Sequence, residues 1–258
     1  MRRPSWRRGE AVPRRTRHDP PPPRRDDVGL ARRALRRAST VLLLSGALVL
    51  ADVGLTVVWQ EPVTGVIALL RQGGLEDELE RLPGPDGSAL QRRVLASLGD
   101  DPERLAFLAR RLKREQGHGD ATARLRIPRI GASDVVVWGT DAGDLRRGPG
   151  FYPSQPLPGA PGTAAIAGHR TTYGAPFRRI DRLRADDAIH VDMPYGRFTY
   201  RVTHLRSVEP SAVWVLRRRA YDQLVLSACD PPFSAARRII VFARLERATL
   251  RADGAASG

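Results

Sequence analysis

Leu224-Val225-Leu226-Ser227-Ala228-Cys229-Asp230-Pro231-Pro232 is the stretch from which the rest of the chain is read. Five apolar or small residues run up to the single cysteine, and an Asp-Pro-Pro sequence then ends any extended segment at once. Side chains of a strand alternate between faces. Leu224, Leu226 and Ala228 therefore share one face, and Val225, Ser227 and Cys229 share the other. The thiol is placed on the less apolar face, at a strand end, where a ligand can reach it. The last apolar run repeats the logic. Ile239, Val241, Ala243 and Leu245 form one uniformly apolar face, while Arg238 lies on the opposite face with Ile240, Phe242 and Arg244. If the two runs pair as a hairpin through residues 230–237, Arg238 approaches Cys229 and Arg237 points away.

Working outward, short β-like runs punctuated by Gly and Pro fill the second half of the chain. They are Arg124–Ile127, Asp134–Trp138, Thr163–Ala167, Ala188–Asp192, Phe198–Val208, Gln223–Cys229 and Arg238–Leu245. Seven or eight such runs at close spacing predict an all-β barrel or sandwich rather than alternating βαβ units. We take 120–247 as this domain, followed by a disordered tail, 248–258.

The first half has a different character. Residues 60–119 carry leucines at helical spacing: Leu69, Leu70, Leu75, Leu79 and Leu82, interrupted by Gly73-Gly74. After a Pro83–Gly87 turn come Leu90, Val94, Leu95, Leu98, Leu105, Leu108 and Leu112. One or two amphipathic helices, a stalk packed on the next domain, are expected. Heptads are not sustained, which argues against a coiled coil. Within 40–59, Val41–Trp59 contains one charge, Asp52. A helix of that length reaches about 28 Å, near the thickness of a bilayer's hydrocarbon layer. Asp52 costs about 2.5–3.5 kcal/mol there on insertion scales. Arg32, Arg33, Arg36 and Arg37 flank one end and Trp59 the other, so the span reads as a signal anchor with a cytoplasmic N-terminus and an extracellular catalytic domain. A cleavable signal peptide and a buried core helix are the alternatives.

Net charge is +15. The head, 1–39, holds 13 arginines against four acidic residues and a Pro20–Pro23 run, which predicts disorder. Its charge is accounted for by anionic membrane lipid at the inner leaflet, without nucleic acid as a partner. One cysteine excludes a disulfide framework and a Cys-rich metal site. The histidines, at 18, 118, 169, 190 and 204, show no metal-ligand spacing, and nothing calls for a cofactor.

His169 follows the small-residue run Thr163–Ala167 and Gly168, a position suited to serve a cleft. His190 and His204 lie within strand-like runs and fit structural roles. A thiolate is the nucleophile in cysteine acyl transfer, an imidazole can protonate the departing amine, and a fixed guanidinium can stabilise an oxyanion. Residue types and spacing thus allow a Cys229–His169–Arg238 acyl-transfer site.

With these residues assembled, the chain resembles the sortases, membrane-anchored transpeptidases of Gram-positive bacteria. Val225-Leu226-Ser227-Ala228-Cys229 corresponds to the family's Thr-Leu-x-Thr-Cys, with Val and Ala in place of the two threonines. Ala167-Gly168-His169-Arg170-Thr171-Thr172-Tyr173-Gly174-Ala175-Pro176-Phe177 is similar to its histidine segment, and Arg238-Ile239-Ile240-Val241 to its arginine-led last strand. Gly148–Pro153 and Leu125–Pro128 also look like this family. The likeness covers about 123–247 and is greatest to class E, the actinobacterial housekeeping group. Asp101-Pro102-Glu103 lacks the aromatic residue of the class C lid and lies in the helical stalk.

The resemblance implies an eight-stranded barrel and no cofactor. It also implies cleavage of an LPXTG- or LAXTG-type sorting signal at Thr–Gly on secreted proteins, with Cys229 as nucleophile, His169 as general acid/base and Arg238 as oxyanion stabiliser. A peptidoglycan precursor amine would be the acceptor. A pilin-polymerising sortase and a non-enzymatic membrane-anchored scaffold are the competing readings.

Overall fold

The computed structural model describes residues 35–36, 38–49, 62–82 and 88–251. Most of the predicted basic head, residues 50–59 of the predicted span, the Pro83–Gly87 turn and the tail from residue 252 lie outside them. Residues 38–49 are helical, with Leu42 and Leu43 exposed. Among the described residues no helix is long and apolar enough to cross a membrane. These residues fall in a unit, Met1–Gly54, distinct from the unit Leu55–Gly258 that holds everything below.

Eight strands close into a barrel: β1 (Ala121–Ile127), β2 (Ala132–Trp138), β3 (Gly150–Phe151), β4 (Thr163–Ala167), β5 (Ala188–Met193), β6 (Gly196–Val208), β7 (Gln223–Asp230) and β8 (Arg237–Leu250). Around the barrel the order is β1-β2-β3-β4-β7-β8-β6-β5, and β5 pairs back to β1. Seven strands coincide with the apolar runs of the sequence. The eighth, β3, is two residues long and has no alternation to betray it. It pairs parallel to β2 and antiparallel to β4. Gly150 is required there, because a Cβ would fall on the Gly139 carbonyl oxygen. β8 runs to Leu250, five residues past the run read from the sequence, so residues 248–250, expected to begin a disordered tail, are instead paired to β6.

The alternation reading of β7 and β8 holds face by face. Leu224, Leu226, Ala228, Ile239, Val241 and Ala243 belong to the main core with Leu125, Ile166, Phe177 and Phe198. Val225, Ile240 and Phe242 form a second cluster on the other face with Ala165, Val208 and Val215. The 3-10 turn Val213–Leu216 supplies Val215 to this outer patch, and Trp214 and Leu216 pack against it. β7 is thus covered on both faces, which is why it reads as an almost unbroken apolar run.

Within the unit Leu55–Gly258, three described helices precede the barrel: α1 (Pro62–Glu80), α2 (Ala89–Ser97) and α3 (Asp101–Glu115). α1 continues through Gly73-Gly74, where the sequence suggested a break. Each glycine costs about 1 kcal/mol relative to Ala in a helix interior, and tertiary contacts on both sides offset this. Leu75 is buried against Ala121, Val135 and Val137. The Gln72 amide accepts from Val135 N at 2.6 Å and donates to Arg147 O at 3.1 Å. It thereby serves as a side-chain strand partner where the β2–β3 ladder has not yet begun. α3 starts on an Asp100 cap that accepts from Glu103 N at 2.9 Å, with Pro102 in its first turn. Asp101-Pro102 is therefore a helix start. Leu105, Leu108 and Ala109 of α3 enter the main barrel core, so this segment is packed on the domain and not free of it.

Candidate active site

Cys229 lies one residue from the end of β7, directly opposite Arg238 at the start of β8. The hairpin expected from the sequence exists in the expected register. On the other side of β7, β4 runs parallel to it with Ala167 level with Ser227. Gly168 N continues the ladder by donating to Ser227 O at 3.0 Å. Extending that register by two residues sets His169 beside Cys229. The three residues thus leave three adjacent strands at one end of the barrel, with the thiol in the middle strand. No hydrogen bond joins their side chains among the described residues.

Each flank has its own support. On the imidazole side, Gly168 is dictated by packing: a Cβ there would stand 2.5 Å from the buried Phe177 ring. Phe177 N in turn donates to His169 O at 3.0 Å. Tyr173, Gly174 and Ala175 follow with φ of 53°, 80° and 47°. Left-handed conformation at Tyr173 and Ala175 is strained, and it persists because its surroundings hold it. The turn brings the Tyr173 ring to 5.0 Å from the His169 ring, with the Arg146 guanidinium 5.9 Å from the tyrosine. His169 is half-buried, and burial pushes its pKa below the ordinary histidine value, favouring the neutral imidazole.

Arg170 is the residue that sequence reasoning missed. It is 95% buried, and Nη1 donates to Asp230 Oδ1 at 2.7 Å and to the Cys229 carbonyl at 3.4 Å, while Nη2 pairs with Asp181 at 3.2 Å. One guanidinium therefore ties the His169 segment to the strand end carrying the thiol. Asp230 also accepts from the Ser207 hydroxyl at 2.6 Å. That bond, with the charges of Arg170 and Arg237, holds its carboxyl below the usual range. The available signal was an arginine next to the candidate histidine and an acid next to the candidate cysteine. Pairing them required the β4–β7 register.

On the guanidinium side, Arg238 is partly exposed, and Nη1 donates to the carbonyls of Ala235 and Arg237 at 3.0 Å. Arg237 turns to β6 instead, bonding Ser207 and Glu209. His190 bonds Thr199 Oγ1 and His204 stacks on Phe242, so both serve the barrel wall.

Apart from these residues, His118, Asp141 and Asp144 hold ligand atoms within 4.8 Å of one another. His118 Nδ1 lies 2.9 Å from Asp144 Oδ2, which raises the histidine pKa, and the Asp141 amide donates to the same oxygen at 3.1 Å. The group is engaged as an ion pair at a helix start. Sequence spacing could not reveal it, since it is closed by the turn between β2 and β3.

A barrel that presents a thiol at a strand exit, between strands bearing an imidazole and a guanidinium, has the residues for acyl transfer through a thioester. Comparison with known proteins identifies the family. Residues 125–246 match the sortase domain family model. Sortase D of Bacillus subtilis is 33% identical over 131 residues, covering 49% of this chain and 64% of the relative. Sortase SrtE1 of Streptomyces coelicolor is 30% identical over 152 residues, covering 53% and 43%. The chain thus spans less than two thirds of the length of both curated relatives. The structure of sortase E from Streptomyces avermitilis is 31% identical, with 52% of this chain and 93% of that one covered and a TM-score of 0.48. The chain belongs to the sortase family.

Proposed function

We propose that this protein is a cysteine transpeptidase of the cell surface. It cleaves an LPXTG- or LAXTG-type sorting signal between Thr and Gly and joins the new carboxyl end to a cell-wall amine. The Cys229 thiol passes its proton to the neutral His169 imidazole, the resulting thiolate attacks the threonine carbonyl, and the tetrahedral oxyanion is met by the Arg238 guanidinium. As the C–N bond breaks, His169 delivers a proton to the departing amine and a thioester remains on Cys229. An incoming amine then attacks the thioester and loses its proton to His169; the Cys229 thiolate departs as the amide forms, and the imidazolium returns the proton to it. In this reading residues 40–59 anchor the chain with the N-terminus cytoplasmic, and the barrel works outside on secreted proteins.

The observation that supports the proposal is the register that sets Cys229 opposite Arg238 across β7 and β8, with Ala167, two residues before His169, level with Ser227 on the other side. Incubation with fluorogenic LPXTG and LAXTG peptides tests it. The wild type should cleave at least one of them and be inactivated by a thiol alkylator, and Cys229→Ala should show no cleavage. Cleavage by the Ala variant at the wild-type rate would remove the nucleophile from this scheme. A lysine-bearing acceptor outcompeting a glycine-like amine would redirect the reading to pilin polymerisation.

A further inference from the structure

Beside the His169 segment lies a recess of about 340 Å³, lined by Arg170, Thr171, Arg178, Arg179, Asp181, Arg182 and Pro232. Thr171 is two residues past His169 and Pro232 three past Cys229, so the recess adjoins the proposed reaction centre. Its one lining carboxylate, Asp181, is engaged by Arg170, whose other arm holds Asp230. Arg178, Arg179 and Arg182 are exposed, and their side chains have no hydrogen-bond, ion-pair or ring partner among the described residues. Many other arginines of the domain are paired, as Arg124, Arg126, Arg147, Arg197, Arg201 and Arg237 are. Arg178 and Arg179 also border an adjoining recess, whose acidic residue is Asp134.

We infer that this recess is an oxyanion-binding subsite for the acceptor, selecting amines that carry a carboxylate or phosphate group. The inference rests on the transpeptidase reading and adds the acceptor's chemical class. Two arguments place the acceptor here rather than the sorting signal. The invariant positions of an LPXTG-type motif carry no side-chain charge. The amine that leaves and the amine that enters exchange a proton with the same imidazole, so by microscopic reversibility the acceptor approaches on the His169 side. Guanidinium groups suit this task because their planar forks match carboxylate and phosphate oxygens.

The test uses the full chain carrying Cys229→Ala, titrated at low salt with three probes: Gly-Gly-Glu, 2-aminoethyl phosphate and the neutral Gly-Gly-Gln-amide. At least one anionic probe should bind about tenfold more tightly than the neutral one, a margin that shrinks with salt. Which anion binds better distinguishes a carboxylate from a phosphate source. The margin should vanish in Arg178→Glu/Arg182→Glu and in the milder Gln pair, with folding checked by circular dichroism. Equal binding of charged and neutral probes, or a preference that survives both double variants, overturns the inference. In the active chain, capture of the acyl-enzyme by mass spectrometry reports separately on the transpeptidase reading. If no acyl-enzyme forms, that reading falls, while the titration still decides the subsite.

Discussion

The two flanks of Cys229 are built in opposite ways. The imidazole flank is fixed from beneath by a buried ring, a glycine that only close packing explains and a buried guanidinium shared between two carboxylates. The guanidinium flank ends in a partly exposed Arg238 whose bonds go to carbonyls of its own connection. In the proposed mechanism the proton-transfer group must keep its distance from the thiol to a fraction of an ångström, whereas a cation that meets an oxyanion can adjust as charge develops. The more rigid flank is the one to which that mechanism assigns proton transfer.

Arg170→Met attacks the first flank most severely. It leaves Asp181, 50% exposed, without its cation and Asp230, 24% exposed, with the charge of Arg237 alone. A loss of about 3 kcal/mol is expected, the low end for breaking a buried pair because both acids keep some water. Chemical denaturation measures it. The alkylation rate of Cys229 should change as well, since the Cys229 carbonyl loses a donor. An unchanged stability would mean the brace is ornamental.

Gly168→Ala drives a methyl into Phe177 and should cost about 1–3 kcal/mol by overpacking. Peptide cleavage should fall further than stability alone explains, because His169 is the next residue.

Asp134→Asn works in the opposite direction. Burial pushes this carboxyl up from 3.8 to about 6. A raised folded-state pKa means its contribution is intact below pH 3.8 and is lost as pH rises through about 6. The Asn variant should therefore match the wild type near pH 3.5 and be more stable at pH 7, by at most about 3 kcal/mol. Equal stability at both pH values would refute that burial. His169, shifted down, behaves oppositely: its contribution is present above the ordinary histidine range and fades as pH falls through 6.5.

Arg238→Met should change stability by no more than about 0.5 kcal/mol, as befits an exposed position, while slowing acylation of a sorting peptide. A large loss of stability would make the second flank as rigid as the first and erase the contrast.

Much of this was legible without coordinates. Alternation in residues 224–229 and 238–245 gave the faces of β7 and β8 and the Cys229–Arg238 pairing, because period-two patterning and a short hairpin are local properties. The leucines of 62–116 announced helices for the same reason. β3 escaped because two residues cannot display a period, and the continuity of α1 through Gly73-Gly74 escaped because Leu75 and Gln72 find their partners on β1 and β2.

The sequence by itself determined that extended segments would end at a solitary thiol and at an arginine able to oppose it, since both follow from how side chains alternate along a strand. Only the tertiary structure decided that β4 lies parallel beside β7. That placement carries the His169 segment to the strand end that bears the thiol, buries Arg170 between Asp181 and Asp230, and gathers three arginines with no partner among the described residues into one recess. Parallel pairing joins segments separated by a long crossover, and nothing local in either segment records which partner it will meet.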